Sequence, residues 1–166
     1  IGPFDSTGGK GYAAVFEPEK KVDLAAAFVG KGGQEVRWAT YTTDDPYGDV
    51  DLNKAIGKHM GAAAYAYAAL ESPAERSVEV RAATKNAVKI FVNGAQVYAK
   101  EEYHHGKYLD QHAARVTLHK GRNTLLLKVC QNEQTDTWAQ EWDFQARVCD
   151  AVGGAVPVTV VPEKGK

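Results

Sequence analysis

An antiparallel all-β sandwich with at most short helical turns is predicted, and three observations predict it. Val78, Val80 and Ala82 alternate with Glu79 and Arg81, and Val88, Ile90 and Val92 alternate with Lys89 and Phe91. A period of two marks strands with one buried face. Asn93-Gly94 tolerates the positive φ of a tight hairpin turn, and Gln96–Ala99 follows as the return strand. About eight short runs of this kind, separated by turn signals at close intervals and without a fixed repeat, make a sandwich. The three runs between Glu75 and Glu102 are expected to share one sheet.

In chain order, residues 1–11 (IGPFDSTGGKG) are turn-rich and aperiodic and predict a lead-in. Tyr12–Phe16 predicts a short edge strand, and Glu17–Lys21 a solvated charged loop. Val22–Phe28 is ambiguous, because Asp23 suits the cap of a short helix through the alanines. Glu35–Thr42 alternates Val36, Trp38 and Thr40 against Arg37 and Tyr41 and predicts a strand. A turn of helix is expected near Leu52–Ile56. Met60–Glu71 is alanine-rich, which favours helix, but Tyr65 and Tyr67 alternate with alanines and Ser72-Pro73 follows as a stop, so a long strand is predicted.

Glu101–His112 predicts a polar loop, Ala114–Leu118 a strand, and His119–Asn123 a turn with Gly121 at positive φ. Thr124–Gln131 is apolar on both faces, as a central strand would be. Trp142–Cys149 alternates Trp142, Phe144, Ala146 and Val148 inward, and is expected to form a hairpin with Thr124–Gln131. That register would set Cys130 and Cys149 about five residues apart on the ladder, roughly 17 Å. A disulfide needs Cα atoms within about 7 Å, so two free thiols are predicted. Residues 1–150 then form one domain, and 151–166 a strand-forming tail or linker.

The 166 residues suffice for one well-filled core, with 44% hydrophobic and 25% charged residues. A net charge of −1 gives no basic face, which argues against nucleic acid as a partner. No apolar run nears the ~20 residues of a membrane span. A start at Ile1, with no Met and no signal-like segment, predicts a processed product or an excised piece.

The string AYAYAALESPAERSVEVRAATKNAVKIFVNGAQVYAKE, the strand LHKGRNTLLLKVCQN and the opening IGPFD carry a resemblance. Together they resemble the galactose-binding-like jelly-roll modules of secreted bacterial glycoside hydrolases and large planctomycete-type surface proteins. The resemblance is firm over Ala63–Asp150, and it implies a jelly roll, export to the cell surface or beyond, and sugar-binding or domain-packing work. Relatives commonly carry an Asp-Asp or Asp-Gly pair before the V-K strand; Thr84-Lys85-Asn86-Ala87 stands there, so no carboxylate role transfers. Such a fold hosts many functions.

Candidate chemistry is spread over several loops. Sugar recognition sets an aromatic face against the ring and fixes hydroxyls with a few polar groups. Trp138 is the candidate platform, with Tyr103 and Tyr108 in a second loop and Gln140, Glu141, Asn132 and Arg122 as hydrogen-bonding groups; Trp142 is expected in the core. Asp44, Asp45, Asp49 and Asp51 lie within eight residues and offer oxygen ligands for a structural Ca²⁺, although Lys54 and Met60 break the EF-hand pattern. His104, His105 and His112 fit no zinc spacing and predict a solvated polar loop. No nucleophile elbow is present, and Glu133, Asp136, Glu141 and Asp143 are the carboxylates nearest to a hydrolase pair. Val156, Val158 and Val160 form a β-prone tail, able to add to the chain's own sheet or to a neighbour's edge. Pro157 favours an edge. The leading expectation is a non-catalytic carbohydrate-binding or accessory module with a glycan or adjacent domain as partner. The alternative is a self-assembling surface or filament subunit, a homo-oligomer joined through the tail.

Overall fold

A computed structural model describes residues 1–163. The chain runs through β1 (Phe4–Asp5), α1 (Lys10–Ala13), α2 (Glu17–Lys20), β2 (Ala27–Val29), β3 (Glu35–Arg37), β4 (Val50–Asp51) and α3 (Leu52–Ile56). It continues through β5 (Ala62–Ser72), β6 (Arg76–Ala83), β7 (Ala87–Val92), β8 (Ala95–Lys100), β9 (His112–Leu118), β10 (Gly121–Gln131), β11 (Asp143–Cys149) and β12 (Thr159–Val161). The fold is all-β and antiparallel, with only short helices. Among the described residues no helix is long and apolar enough to cross a membrane.

Two sheets stack. The six-stranded sheet has the order β1-β5-β10-β7-β8, with β12 also on β5, and the four-stranded sheet has the order β4-β11-β6-β9. Alternation along each strand sends one set of side chains into the space between them. Ala64, Leu70, Leu125, Leu127, Val129, Val88 and Ile90 from the first sheet meet Val78, Val80, Val116, Leu118 and Phe144 from the second, with Trp142 wholly buried among them. The opposite faces of β5 and β10 are apolar as well. Ala63, Tyr65, Leu126 and Cys130 pack under Ile1, Phe4, Phe16, Phe28 and Val36 of the N-terminal segment.

Several local expectations change. The run 78–99 does not stay in one sheet: β6 pairs with β9 and β11, whereas β7 crosses to pair with β10 and β8. The β7–β8 hairpin does turn at Asn93-Gly94, both at positive φ. β10 and β11 form no hairpin, because their connection also crosses between sheets. Cys130 and Cys149 are free and buried, and what separates them is the sandwich rather than a ladder. β3 ends at Arg37, where its three-residue partner β2 runs out. Asp23 makes a turn by accepting from Ala25 N at 3.1 Å, not a helix cap.

The largest correction concerns residues 12–21, which are neither strand nor solvated loop. Lys128 projects from the outer face of β10 and is fully buried. Its Nζ lies 2.7 Å from Glu19 Oε1 and 2.5 Å and 3.4 Å from the carbonyl oxygens of Ala14 and Tyr12. Tyr65 Oη donates to the same Glu19 oxygen at 2.5 Å, and the Phe16 ring lies 5.0 Å from the ammonium. An ammonium without water needs its donors met, so the chain offers it carbonyls rather than a ladder. The Glu19 side chain is correspondingly only 6% exposed. Removing one partner strands the other charge, so Lys128→Ala and Glu19→Ala should each cost about 3–5 kcal/mol in urea unfolding. The double variant Lys128→Ala with Glu19→Ala should cost clearly less than the sum of the two; strict additivity would refute the coupling.

Candidate ligand-binding rim

One end of the sandwich gathers the three long connections and one short one. The α3 segment, Thr84–Asn86 between β6 and β7, residues 101–111 between β8 and β9, and residues 132–142 between β10 and β11 all meet there. A buried polar network ties them. Gln131 Nε2 donates to the carbonyls of Ala139 at 2.9 Å and Glu141 at 3.2 Å, and Asn86 Nδ2 donates to Gln131 Oε1 at 2.8 Å. Thr84 Oγ1 donates to Asp143 O at 2.6 Å, Asn53 Nδ2 to Gln140 O at 2.9 Å and Gly61 N to Asn132 O at 2.7 Å. Groups this deeply buried must be paired, and pairing them fixes the loop backbones.

On this base Trp138 sits in a single 3₁₀ turn, 60% exposed. His104 stands edge-on to the indole, with centroids 5.5 Å apart at 87°, and its Nε2 lies 2.7 Å from Asn132 Oδ1. The positive φ of His104 (59°) and the 2.7 Å bond from its N–H to Lys85 O hold the ring there. Tyr103 is half-buried beside it, with an unpartnered hydroxyl. Gln140 donates to Thr135 O, and Glu141 pairs with Lys85 at the rim. The structure therefore brings Trp138, Asn132, Gln140, Glu141 and Tyr103 to one end. Arg122 stands some ten residues back along β10, roughly 30 Å away, bonded to Tyr67 Oη at 3.3 Å and paired with Glu163. Tyr108 is 72% exposed over Gly106. His104, Lys85 and Lys107 belong to the rim without having been predicted to support it.

The four aspartates diverge. Asp45 Oδ1 accepts from Tyr47 N at 2.8 Å and Asp49 N at 3.2 Å, Asp51 caps α3 through Lys54 N at 3.2 Å, and Asp44 is exposed. Asp49 turns to Lys107, whose Nζ is also 3.1 Å from Asp143 Oδ1. An ammonium thus occupies the position beside Asp49 that a cation would take. Among the described residues no three His, Cys, Asp or Glu side chains group as metal ligands. The hydrolase candidates are dispersed too: Glu133 accepts from Gly8 N, Asp136 from Gln134, and Glu141 and Asp143 face different lysines.

One hollow lies beside the 101–111 loop and another between the sheets. A cavity of about 310 Å³ lies above Asp49 and Lys107, bounded by Tyr47, Leu109 and Gln145. A second, of about 380 Å³, opens between the sheets where Ala66, Ala68 and Ala146 leave room beside Trp38, Leu127 and Phe144. The tail closes one side of the latter. β12 pairs with the chain's own β5, Val160 opposite Leu70. Val156 and Val158 pack on the core, while Val160 is 67% exposed.

Comparison of the chain with family profiles, curated proteins and solved structures gives no match.

The 101–111 loop is clamped by Asp110, which accepts from Arg147 Nε at 2.7 Å and Arg81 Nη1 at 3.0 Å. Those guanidinium groups, Arg147 foremost, hold its carboxyl at about 2. A depressed carboxylate stabilises the fold fully above its ordinary value and loses that contribution as pH falls toward 2. Asp110→Asn should therefore lower stability by about 1.5–3 kcal/mol at pH 7 and much less near pH 2.5. Equal deficits at both pH values in urea titrations would contradict this account.

Proposed function

We propose that this chain is a non-catalytic carbohydrate-binding or accessory module of an exported protein, built as a galactose-binding-like jelly roll. The topology supports the jelly-roll reading. The pairs β4–β11, β5–β10, β6–β9 and β7–β8 are nested, and they alternate between the two sheets. Rolling one long hairpin into a sandwich produces that order, and the pairs β6–β11 and β7–β10 are the seams where the roll closes.

The observation that carries the functional reading is the exposed Trp138 indole, steadied by His104 and set among Asn132, Gln140 and Glu141. An aromatic platform with a few fixed polar groups suits the C–H face and hydroxyls of a sugar ring. Its carboxylates Glu133, Asp136, Glu141 and Asp143 outnumber Lys85 and Lys107 at this end, which favours neutral over acidic polysaccharides. Assembly through the tail draws less support, because β12 is spent on its own β5.

Affinity electrophoresis against a panel of neutral and acidic polysaccharides tests the proposal. Retardation by at least one neutral glycan is expected, with about tenfold weaker binding for Trp138→Ala, or ~1.4 kcal/mol. Absence of retardation throughout, or a Trp138→Ala protein that binds like the parent, would remove it.

A further inference from the structure

The loop that carries His104 and Lys107 is also held by two histidines that the glycan site does not use. His112 opens β9, is 3% exposed, and has its Nδ1 2.9 Å from Tyr98 Oη on β8. His105 stands perpendicular to it, with ring centroids 6.0 Å apart. Its Nδ1 lies 2.7 Å from Gln111 Nε2, and that same amide nitrogen donates to Gly106 O at 2.9 Å. His105 Nε2, His112 Nε2 and Gln111 Oε1 are all buried without a protein partner. The histidines expected in a solvated loop are thus the interior of that loop.

Protonation bears on the two rings differently. His105 Nδ1 lies 3.0 Å from Gly106 O as well as 2.7 Å from Gln111 Nε2, so that ring nitrogen has a partner in either protonation state. A proton on His112 buries a charge whose Nε2–H has no acceptor. The charged and titratable groups around the pair are Glu102, Lys100 and Tyr98. Glu102 is the carboxylate there, 3.9 Å from His105 Nε2, but it is already engaged by Lys100 at 2.7 Å. Burial, with His105 adding to it, pushes the His112 imidazole below its ordinary value.

We propose that His112, with the His105 ring set edge-on against it, forms an acid-sensitive latch that holds residues 101–111 against the sandwich while the His112 ring is neutral, and releases them, with the rim they support, in mild acid. The regulatory half rests on the reading of the rim as a glycan site; the latch itself does not. The sign follows from linkage. A histidine whose folded value is lowered stabilises the closed form fully above its ordinary value near 6.5, and that stability is lost as pH falls below it. This window lies above the one in which Asp110 titrates.

Hydrogen exchange of the amides of residues 103–111, corrected for the intrinsic effect of pH, tests the latch. Between pH 7.5 and 5.5 the opening of this loop should rise several-fold. The central amides of β10 should stay protected. His112→Gln should flatten the profile, and His112→Asn serves if that variant disturbs folding. Unchanged loop exchange at pH 5.5, or the parental profile in the variants, overturns the latch. Loss of glycan retardation at pH 5.5 in step with opening supports the regulatory half, and retention despite opening refutes it. A protein that no glycan retards at either pH defeats the glycan reading alone, and the exchange rates still decide the latch.

Discussion

A single buried ammonium organises one side of this molecule. Lys128 lies mid-way along β10, on the face turned away from the second sheet, where an uncompensated charge would be prohibitive. Glu19, two backbone carbonyls and the rim of an aromatic cluster meet it there. Satisfying that one group requires residues 12–19 to be drawn across the sheet. The remainder of the N-terminal cover, from Phe4 to Val36, can then close over Tyr65 and Leu126. β5 and β10 become buried on both faces, and they form the longest paired ladder in the molecule. The two ends of the sandwich inherit their positions from this pair.

The ends are treated differently. At the end distant from Trp138, Asn123 closes the β9–β10 turn by accepting from His119 N and donating to the carbonyls of His119 and Gly121. Asn93 of the neighbouring hairpin donates to Asn123 Oδ1 at 2.9 Å, so short turns lock against each other. At the other end the connections are long, and buried side chains such as Gln131 and Asn86 do what turn geometry does at the first. A short turn leaves nothing to recognise a ligand with. Long loops on a rigid polar base can hold an indole in solvent without letting it wander.

How much of this was legible in the sequence follows from the range of the forces involved. Strand period, the Asn93-Gly94 turn and the Ser72-Pro73 stop are local, and they place β5 to β11 to within a few residues. Sheet membership is not local: β6 and β7 carry the same alternation and are joined by three residues, yet they lie in opposite layers. No pattern within either strand distinguishes a hairpin from a crossing. The run 12–21 misleads for a related reason. Glu17, Glu19, Lys20 and Lys21 read as solvated, because the partner that buries Glu19 is more than a hundred residues away. The one signal was Lys128 itself, a charge amid TLLLKVCQ, which a strand apolar on both faces ought not to contain unpaired. The histidines misled in the same direction, since loop composition gives no hint of which side chains turn inward.

The outer faces of both sheets are already occupied. The outer face of the first sheet is roofed by the N-terminal segment. That of the second carries Glu79, Arg81, Arg115 and Arg147 in a charge-paired array that Asp110 completes. The chain's three tryptophans divide along the same line. Trp142 fills the core with its Nε1 donated to Val129 O, and Trp38 leans edge-on against Tyr67 beneath the cover. Trp138 alone faces water, on the end where polar groups are already fixed. An indole kept in solvent adds little to the stability of a fold whose core is filled without it, and here its orientation is set by His104 on a base of buried hydrogen bonds rather than by the core.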